Sequence, residues 1–278
     1  MSNRDITKGK VILAAAGPGD PELITLKTLR YLGKADVVII DRLVSADIIK
    51  HYINAEAIVI KVGKQAGKES STPQSTINNL LVEYALLGKL VVRLKGGDVS
   101  FFSNIMDELL ILKEHHISYE IIPGVTSASG AAAYAGIPLT ARGYATGVRF
   151  FTYYRSDIIS DLQWKQLSQT DDTLVFYMSM ETLDAVVEKF LENNISNDKL
   201  LAVIEQATTP LQHVYVSGFY EYDEKLRGKK FISPSLVIVG KVVALHEQFK
   251  WISNDNIRKY YFTPLHEAVE TYNQPVSN

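Results

Sequence analysis

Val11-Ile-Leu-Ala-Ala-Ala-Gly-Pro-Gly-Asp-Pro-Glu-Leu-Ile-Thr-Leu-Lys-Thr-Leu-Arg30 reads as an apolar strand, a glycine-rich turn and a helix. The turn supplies two glycines where the backbone must bend sharply or approach a ligand closely. Asp20 is a good N-cap, and Pro21 suits the first helical position, where its missing N–H costs nothing. In an α/β fold such a turn faces a nucleotide-like ligand at the carboxyl ends of the strands. The residues argue against a dinucleotide. Aligning Gly17 and Gly19 with G-x-G-x-x-G puts Glu22 where a third glycine packs helix on strand. Pro18 removes an N–H that would cradle a phosphate, and Asp20 and Glu22 place two negative charges at the helix N-terminus. A neutral or cationic nucleoside suits this turn better.

Working outward, apolar runs alternate with helical stretches. Strands are expected at Ala35–Asp41, Ala57–Lys61, Lys89–Lys95 and Tyr119–Ile122, with helices around Ala46–Tyr52, after Ser70–Gln74 to about Leu87, and at Ile105–Glu114. This alternation predicts an α/β fold with a mainly parallel sheet and right-handed crossovers. The composition changes at Pro123, where a stretch rich in small residues begins, so a domain boundary is placed there. The expected organisation is an N-terminal α/β domain over 1–122, a C-terminal α/β domain over 123–250 and an aromatic, polar tail over 251–278. In the second domain, strands at Val148–Thr152, Thr173–Met178, Leu201–Glu205, His213–Ser217 and Ser235–Val239 surround a helix at Glu181–Glu192. The short spacing of the last strands predicts hairpins and a mixed sheet.

The 278 residues are 46% hydrophobic and 22% charged, with a formal net charge of -2. Such a chain can bury a core, and its bulk charge favours neither nucleic acid nor membrane. Without cysteine there is no disulfide framework and no thiolate site. The start lacks the order of a signal peptide, and no apolar run approaches the ~20 residues of a spanning helix. A cytoplasmic protein without a metal is expected: His115 and His116 are adjacent, and the six histidines show no ligand spacing.

Asp41 ends a strand 24 residues after Gly17, about where a dinucleotide fold keeps its ribose acid. It reads as a ribose ligand, a general base, or a solvated strand-end acid. Lys61, Lys64 and Lys68 flank glycines in one loop, either a solvated basic loop or a site for a carboxylated substrate or proton donor. Gly96-Gly-Asp98 follows a strand and is expected beside the opening turn, as a nucleoside contact or a plain tight turn. The small residues of Thr126–Ala135 permit close helix-on-sheet packing without any ligand, and Met178 at a strand end reads as core.

These pieces, in this order, resemble the tetrapyrrole methylase family, and within it the uroporphyrinogen-III C-methyltransferases. The resemblance rests on Gly17–Lys27, Ala35–Ser45, Val62-Gly-Lys64, Val91–Asp98, Pro123–Ala128, Tyr134–Thr140, Thr173–Met178, Glu205–Pro210 and Ile232–Leu236. It implies two α/β domains with S-adenosylmethionine in the cleft between them, in a homodimer. By position, the donor contacts would be Pro18, Gly96, Gly97, Asp98, Phe101, Thr126, Ser127, Met178 and Ala207. The family's proton acceptor falls on Asp41 and its proton donor on Lys64. The implied reaction is methylation of two ring carbons of uroporphyrinogen III, giving precorrin-2 for sirohaem or cobalamin. The acid arms of such a substrate make Arg42, Lys64, Arg93, Arg142 and Arg149 candidate partners. This chain departs from the family pattern at substrate-facing positions. Asn104 replaces an arginine, Ala141 a histidine, Tyr153-Tyr154 a Gly-His pair and Gln65 an arginine. The alternative is a diverged paralogue that binds S-adenosylmethionine or a tetrapyrrole with altered methylation.

Overall fold

A computed structural model describes residues 8–63, 72–155, 157–252 and 257–262. Lys64, Gln65 and Lys68 lie outside the described residues. The chain divides into two units, one over residues up to Thr126 together with Tyr260–Phe262, the other over Ser127–Lys259.

The first unit alternates β1 (Lys10–Ala15), α1 (Leu26–Leu32), β2 (Val37–Asp41), α2 (Ala46–Tyr52), β3 (Ile58–Val62), α3 (Gln74–Leu86), β4 (Leu90–Lys95), α4 (Met106–Glu114) and β5 (Ser118–Ile122). All strand pairs are parallel, in the order β3-β2-β4-β1-β5. Strands buried on both faces need continuous apolar runs, which Val11–Ala15 and Val37–Ile40 provide. The connections through α1 and α2 run one way along the sheet, and those through α3 and α4 run back. Right-handed crossovers then put the two helix pairs on opposite faces. One face packs Val11, Leu13, Ile39 and Val91 under Ile77, Leu81 and Leu112, and the other packs Ile12, Ala14, Val38 and Val92 under Leu32 and Ile48. The connections from the adjacent strands β1 and β4 leave toward opposite faces. In open α/β sheets the ligand crevice forms at such a point, outside the carboxyl ends.

The opening helix differs from its expected form. Asp20 accepts a hydrogen bond from the Glu22 N–H, and Pro21 lies at N1, but of a single 3-10 turn, Pro21–Leu23. Ile24 and Thr25 are extended, and the helix starts at Leu26, with the Thr25 hydroxyl accepting from the Thr28 N–H. Thr25 competes successfully for the cap because its side chain satisfies an orphan donor of the longer element.

The second unit contains α5 (Ser127–Ala135), β6 (Val148–Thr152), α6 (Asp161–Gln169), β7 (Thr173–Tyr177), α7 (Leu183–Glu192), β8 (Leu200–Glu205), β9 (His213–Gly218), α8 (Tyr222–Lys225), β10 (Ser235–Gly240) and α9 (His246–Phe249). Its sheet is mixed, in the order β6-β7-β10-β8-β9, with only β6–β7 parallel. The β8–β9 hairpin is present; β10 instead crosses to lie between β7 and β8. The small residues of α5 lie on one face, where Ala128, Ala131, Ala132 and Ala135 pack on Val175, Ala202, Ile204 and Ile238. The opposite face is aromatic. Tyr153 and Phe190 meet Trp164 edge-on, at ring separations of 5.2 Å each, while Phe176 stacks on it. Tyr153, half of the Tyr-Tyr departure, is therefore a fully buried core residue, whereas Tyr154 is exposed. No helix among the described residues is long and apolar enough to cross a membrane.

Candidate active site

The turn after β1 meets the turn after β4. Gly17 N–H donates to Gly97 O at 3.1 Å, and Gly97 N–H donates to Gly17 O at 2.7 Å. Both glycines have left-handed backbones, φ 78° and 69°, which a side chain would strain. Pro18 is buried in this contact region. Asp98 ties a third turn to it, because Oδ1 accepts from Ser100 N–H at 2.6 Å and Oδ2 from Gly124 N–H at 2.8 Å. A Cβ on Gly124 would stand 2.5 Å from that of Ala15, so only glycine fits. Gly96, Phe101, Asn104 and Thr126 complete this carboxyl edge. Phe101 is exposed beside Phe102, and Asn104 holds φ 54° with its amide donating to Asp107 at 3.3 Å.

Asp41 ends β2 at the same edge. Its Oδ1 accepts from Arg93 Nη2, and among the described residues Oδ2 has no hydrogen-bond partner. Arg93, expected as a partner for substrate acids, is instead 1% exposed with its guanidinium committed inside the unit. It occupies the third position before Gly96 on a buried strand, and its face is covered by α4. Burial works against its charge, but Asp41 and Glu108 outweigh that and hold its pKa above the ordinary value. Arg42 is different. It is half-buried, its Nε is fully buried without a hydrogen-bond partner among the described residues, and burial alone pushes its pKa down.

In the second unit, β7 and β8 both run antiparallel to β10, so Met178 and Ala207 emerge at one edge of the sheet. Met178 is not core: it is exposed, with φ 53°. Ala207 is buried between Gln206 and Thr208, which both have positive φ. That loop is pinned by Gln206 N–H donating to Pro234 O at 2.7 Å and Thr208 N–H to Gln212 Oε1 at 2.7 Å. Ser127 starts α5, whose Ala128 N–H donates to the Tyr177 hydroxyl at 3.0 Å, tying the helix N-terminus to a side chain from the carboxyl end of β7. Arg149 lies at the other edge, where its Nε donates to Asp172 at 2.7 Å. Arg142 is exposed in the Ala141–Ala145 turn. Neither joins Met178 and Ala207.

Sequence reasoning missed Lys95, Glu108, Tyr177 and Gln206. A signal existed for the first two. Arg93 and Lys95 alternate on one face of a strand too apolar to be solvated, and such a face demands buried anions.

The geometry defines an α/β protein in which Pro18, Asp41, Gly96, Gly97 and Asp98 gather at the carboxyl edge of the parallel sheet, and Met178 and Ala207 follow the carboxyl ends of β7 and β8. A sequence profile of the Tetrapyrrole (Corrin/Porphyrin) Methylases matches residues 10–222, and the chain belongs to that family of S-adenosylmethionine-dependent methyltransferases. It is 41% identical over 255 residues, 92% of its length, to a siroheme synthase of Pseudoalteromonas atlantica, and 43% identical over 245 residues, 88% of its length, to that of Acinetobacter baylyi. It spans 55% and 53% of those two proteins, about half the length of each. Among solved structures, a uroporphyrin-III C-methyltransferase from Thermus thermophilus is 33% identical with a TM-score of 0.72, covering 88% of this chain and 98% of that one. The Thermus thermophilus enzyme complexed with S-adenosyl homocysteine is 31% identical with a TM-score of 0.68, covering 84% of this chain and 93% of that one.

Proposed function

We propose that the chain transfers methyl groups from S-adenosylmethionine to two ring carbons of uroporphyrinogen III, giving precorrin-2. The observation that carries this reading is Arg42. Arg42 is half-buried and its Nε is buried with no hydrogen-bond partner among the described residues; leaving that donor unmet is costly, and a carboxylate-bearing ligand at this edge removes the cost. The acceptor has such acid arms. The donor also fits the residues present. Pro18 offers no N–H and Asp20 keeps the turn acidic, which disfavours a phosphate and favours a sulfonium. In the first unit, exposed Phe101 and the backbones of Gly96 and Gly97 supply apolar and amide contacts. Asp98, with both oxygens on backbone N–H groups, holds the turns in place.

When bound, S-adenosylmethionine supplies an electrophilic methyl on a positively charged sulfur. A pyrrole ring carbon attacks that methyl, the carbon–sulfur bond breaks, and its electron pair stays on sulfur. Arg42 orients an acid arm of the acceptor, so the carbon meets the methyl in line. Asp41 accepts the proton released from the ring through Oδ2, while Arg93 fixes Oδ1. Lys64, the family's proton donor, returns a proton; it lies outside the described residues. Anaerobic incubation with both substrates, followed by mass spectrometry, tests the reading. Gain of two methyl masses is expected. No methylated product from protein that still binds the donor would overturn it.

The second reading, altered methylation, is favoured by Asn104, whose amide turns to Asp107 where family members carry a cation. A different methylated tetrapyrrole in the same assay would establish it.

A further inference from the structure

Asp41 is the outermost member of a buried charge network on the α4 face of the first sheet. Arg93 donates from Nε to Glu108 Oε1 at 3.0 Å, from Nη1 to the Ile39 carbonyl at 3.3 Å, and from Nη2 to Asp41. Lys95 Nζ donates to both Glu108 oxygens, at 3.1 and 3.0 Å. Glu108 and Arg93 are essentially unexposed, Lys95 is 4% exposed, and only Asp41, its side chain 24% exposed, reaches solvent. Two cations and two carboxylates close to zero net charge. Burying such a set is costly, and apolar residues of similar volume would serve a core as well or better. The expense is explained if the network acts on its exposed end.

From this geometry we infer that Glu108 and Lys95 are positioning residues that set the proton affinity of Asp41 through Arg93. Glu108 takes one side of the guanidinium, so Arg93 orients Asp41 without giving it the whole of its charge. Lys95 in turn restrains Glu108. A carboxylate facing an undivided arginine would be a weak base, and one facing no cation would be unoriented. Among the described residues, the other chain elements beside Asp41 are β3, which sets Val62 opposite it with Lys61 one residue earlier, and Arg42, which follows it. Burial pushes the Lys95 ammonium down and Glu108 opposes this.

The inference rests on Asp41 being the proton acceptor, and its test separates the two claims. The carboxyl of Asp41 is titrated by carbon NMR in the full chain without substrate, and the pH dependence of kcat/KM is measured alongside. Glu108→Gln removes a negative charge and lowers the Asp41 pKa by about one pH unit, and the acid limb of the rate profile moves down equally. Lys95→Met moves both up. The double variant, which loses one charge of each sign, returns close to the wild type. A general packing defect would not give opposite shifts that cancel. Shifts in the same direction, or none, in protein whose Asp41→Asn variant is inactive, would overturn the inference. If Glu108→Gln does not fold, Lys95→Met and the double variant decide it. Opposite titration shifts in the two variants, with a wild type that makes no methylated product, would leave the network intact and refute the function instead.

Discussion

Arg42→Met is expected to stabilise the free protein while impairing it toward its acceptor. The Arg42 Nε is fully buried and has no hydrogen-bond partner among the described residues. An orphaned buried donor costs about 1–3 kcal/mol, and methionine fills similar volume without one. Allowing for packing lost with the longer side chain, a net gain of about 1 kcal/mol is expected, which raises the melting temperature by about 2–4 °C in a chain of this size. The same change removes a charge-assisted hydrogen bond to an acid arm, worth about 1.5–3 kcal/mol. That corresponds to a rise in KM for the acceptor of about 10- to 150-fold. Affinity for S-adenosylmethionine stays near the wild-type value. Thermal unfolding, calorimetric titration with the donor and steady-state kinetics measure the three quantities. A lower melting temperature together with an unchanged acceptor KM would refute the reasoning, because Arg42 would then be a satisfied structural residue.

Glu120 on β5 accepts from Lys10 Nζ and the Tyr31 hydroxyl at 2.7 Å each and also pairs with Lys27, and these bonds, led by Lys10, hold its carboxyl at about 2. A depressed carboxylate contributes stability above its unfolded pKa and loses it as the pH falls toward the folded value. Glu120→Gln should therefore cost about 1 kcal/mol at neutral pH and flatten acid unfolding between about pH 4.5 and 2, and an unchanged acid transition would contradict this. Trp251 Nε1 donates to Ala133 O at 2.9 Å and the His246 ring bonds Ala135 O at 2.5 Å, so both side chains meet carbonyls in the last turn of α5. Trp251→Ala should lower the melting temperature by about 2–4 °C, and no change would show that water caps the helix equally well. Asn104→Arg should raise affinity for the acceptor while costing about 1 kcal/mol, since asparagine tolerates the left-handed backbone better than arginine does. Unchanged kinetics would mean that the edge has been rebuilt around Asn104.

The strands and the α/β class were legible in sequence because buried parallel strands need uninterrupted apolar runs, and those at Val11, Val37 and Val91 are punctuated by glycine or acid. What escaped was settled by competition or by distance. The Asp-Pro cap at Asp20 is a good signal, yet Thr25 took the longer helix. Helix α6 went unread because Asp161–Gln169 is mostly polar, although Ser160 and Gln163 form a capping box that marks its start. Strand β10 avoids its sequence neighbour β9 because it is buried throughout, and only the sheet interior offers two partners. Tyr153 looked like a change at the site and is a change in the aromatic core. The charged partner of Arg93 sits 15 residues on, and which helix face meets the strand is set by packing along all of α4.

The candidate site is thus divided by what the backbone does and what the side chains do. Gly17, Gly97 and Gly124 are required by close approach of one turn to the next, independent of any ligand. Asp98 is consumed in holding those turns. A motif rich in glycine and acid can therefore match a family and still say little about contact, because its residues are needed to build the edge. At this edge two consecutive residues at the end of one strand keep chemistry to offer a ligand: Asp41, whose Oδ2 is not engaged by Arg93, and half-buried Arg42, whose Nε is buried and unpaired among the described residues. A base with one free oxygen beside a cation able to hold an acid arm is the pairing that methylation of a polycarboxylate requires, and the acceptor chemistry of the site is best sought there.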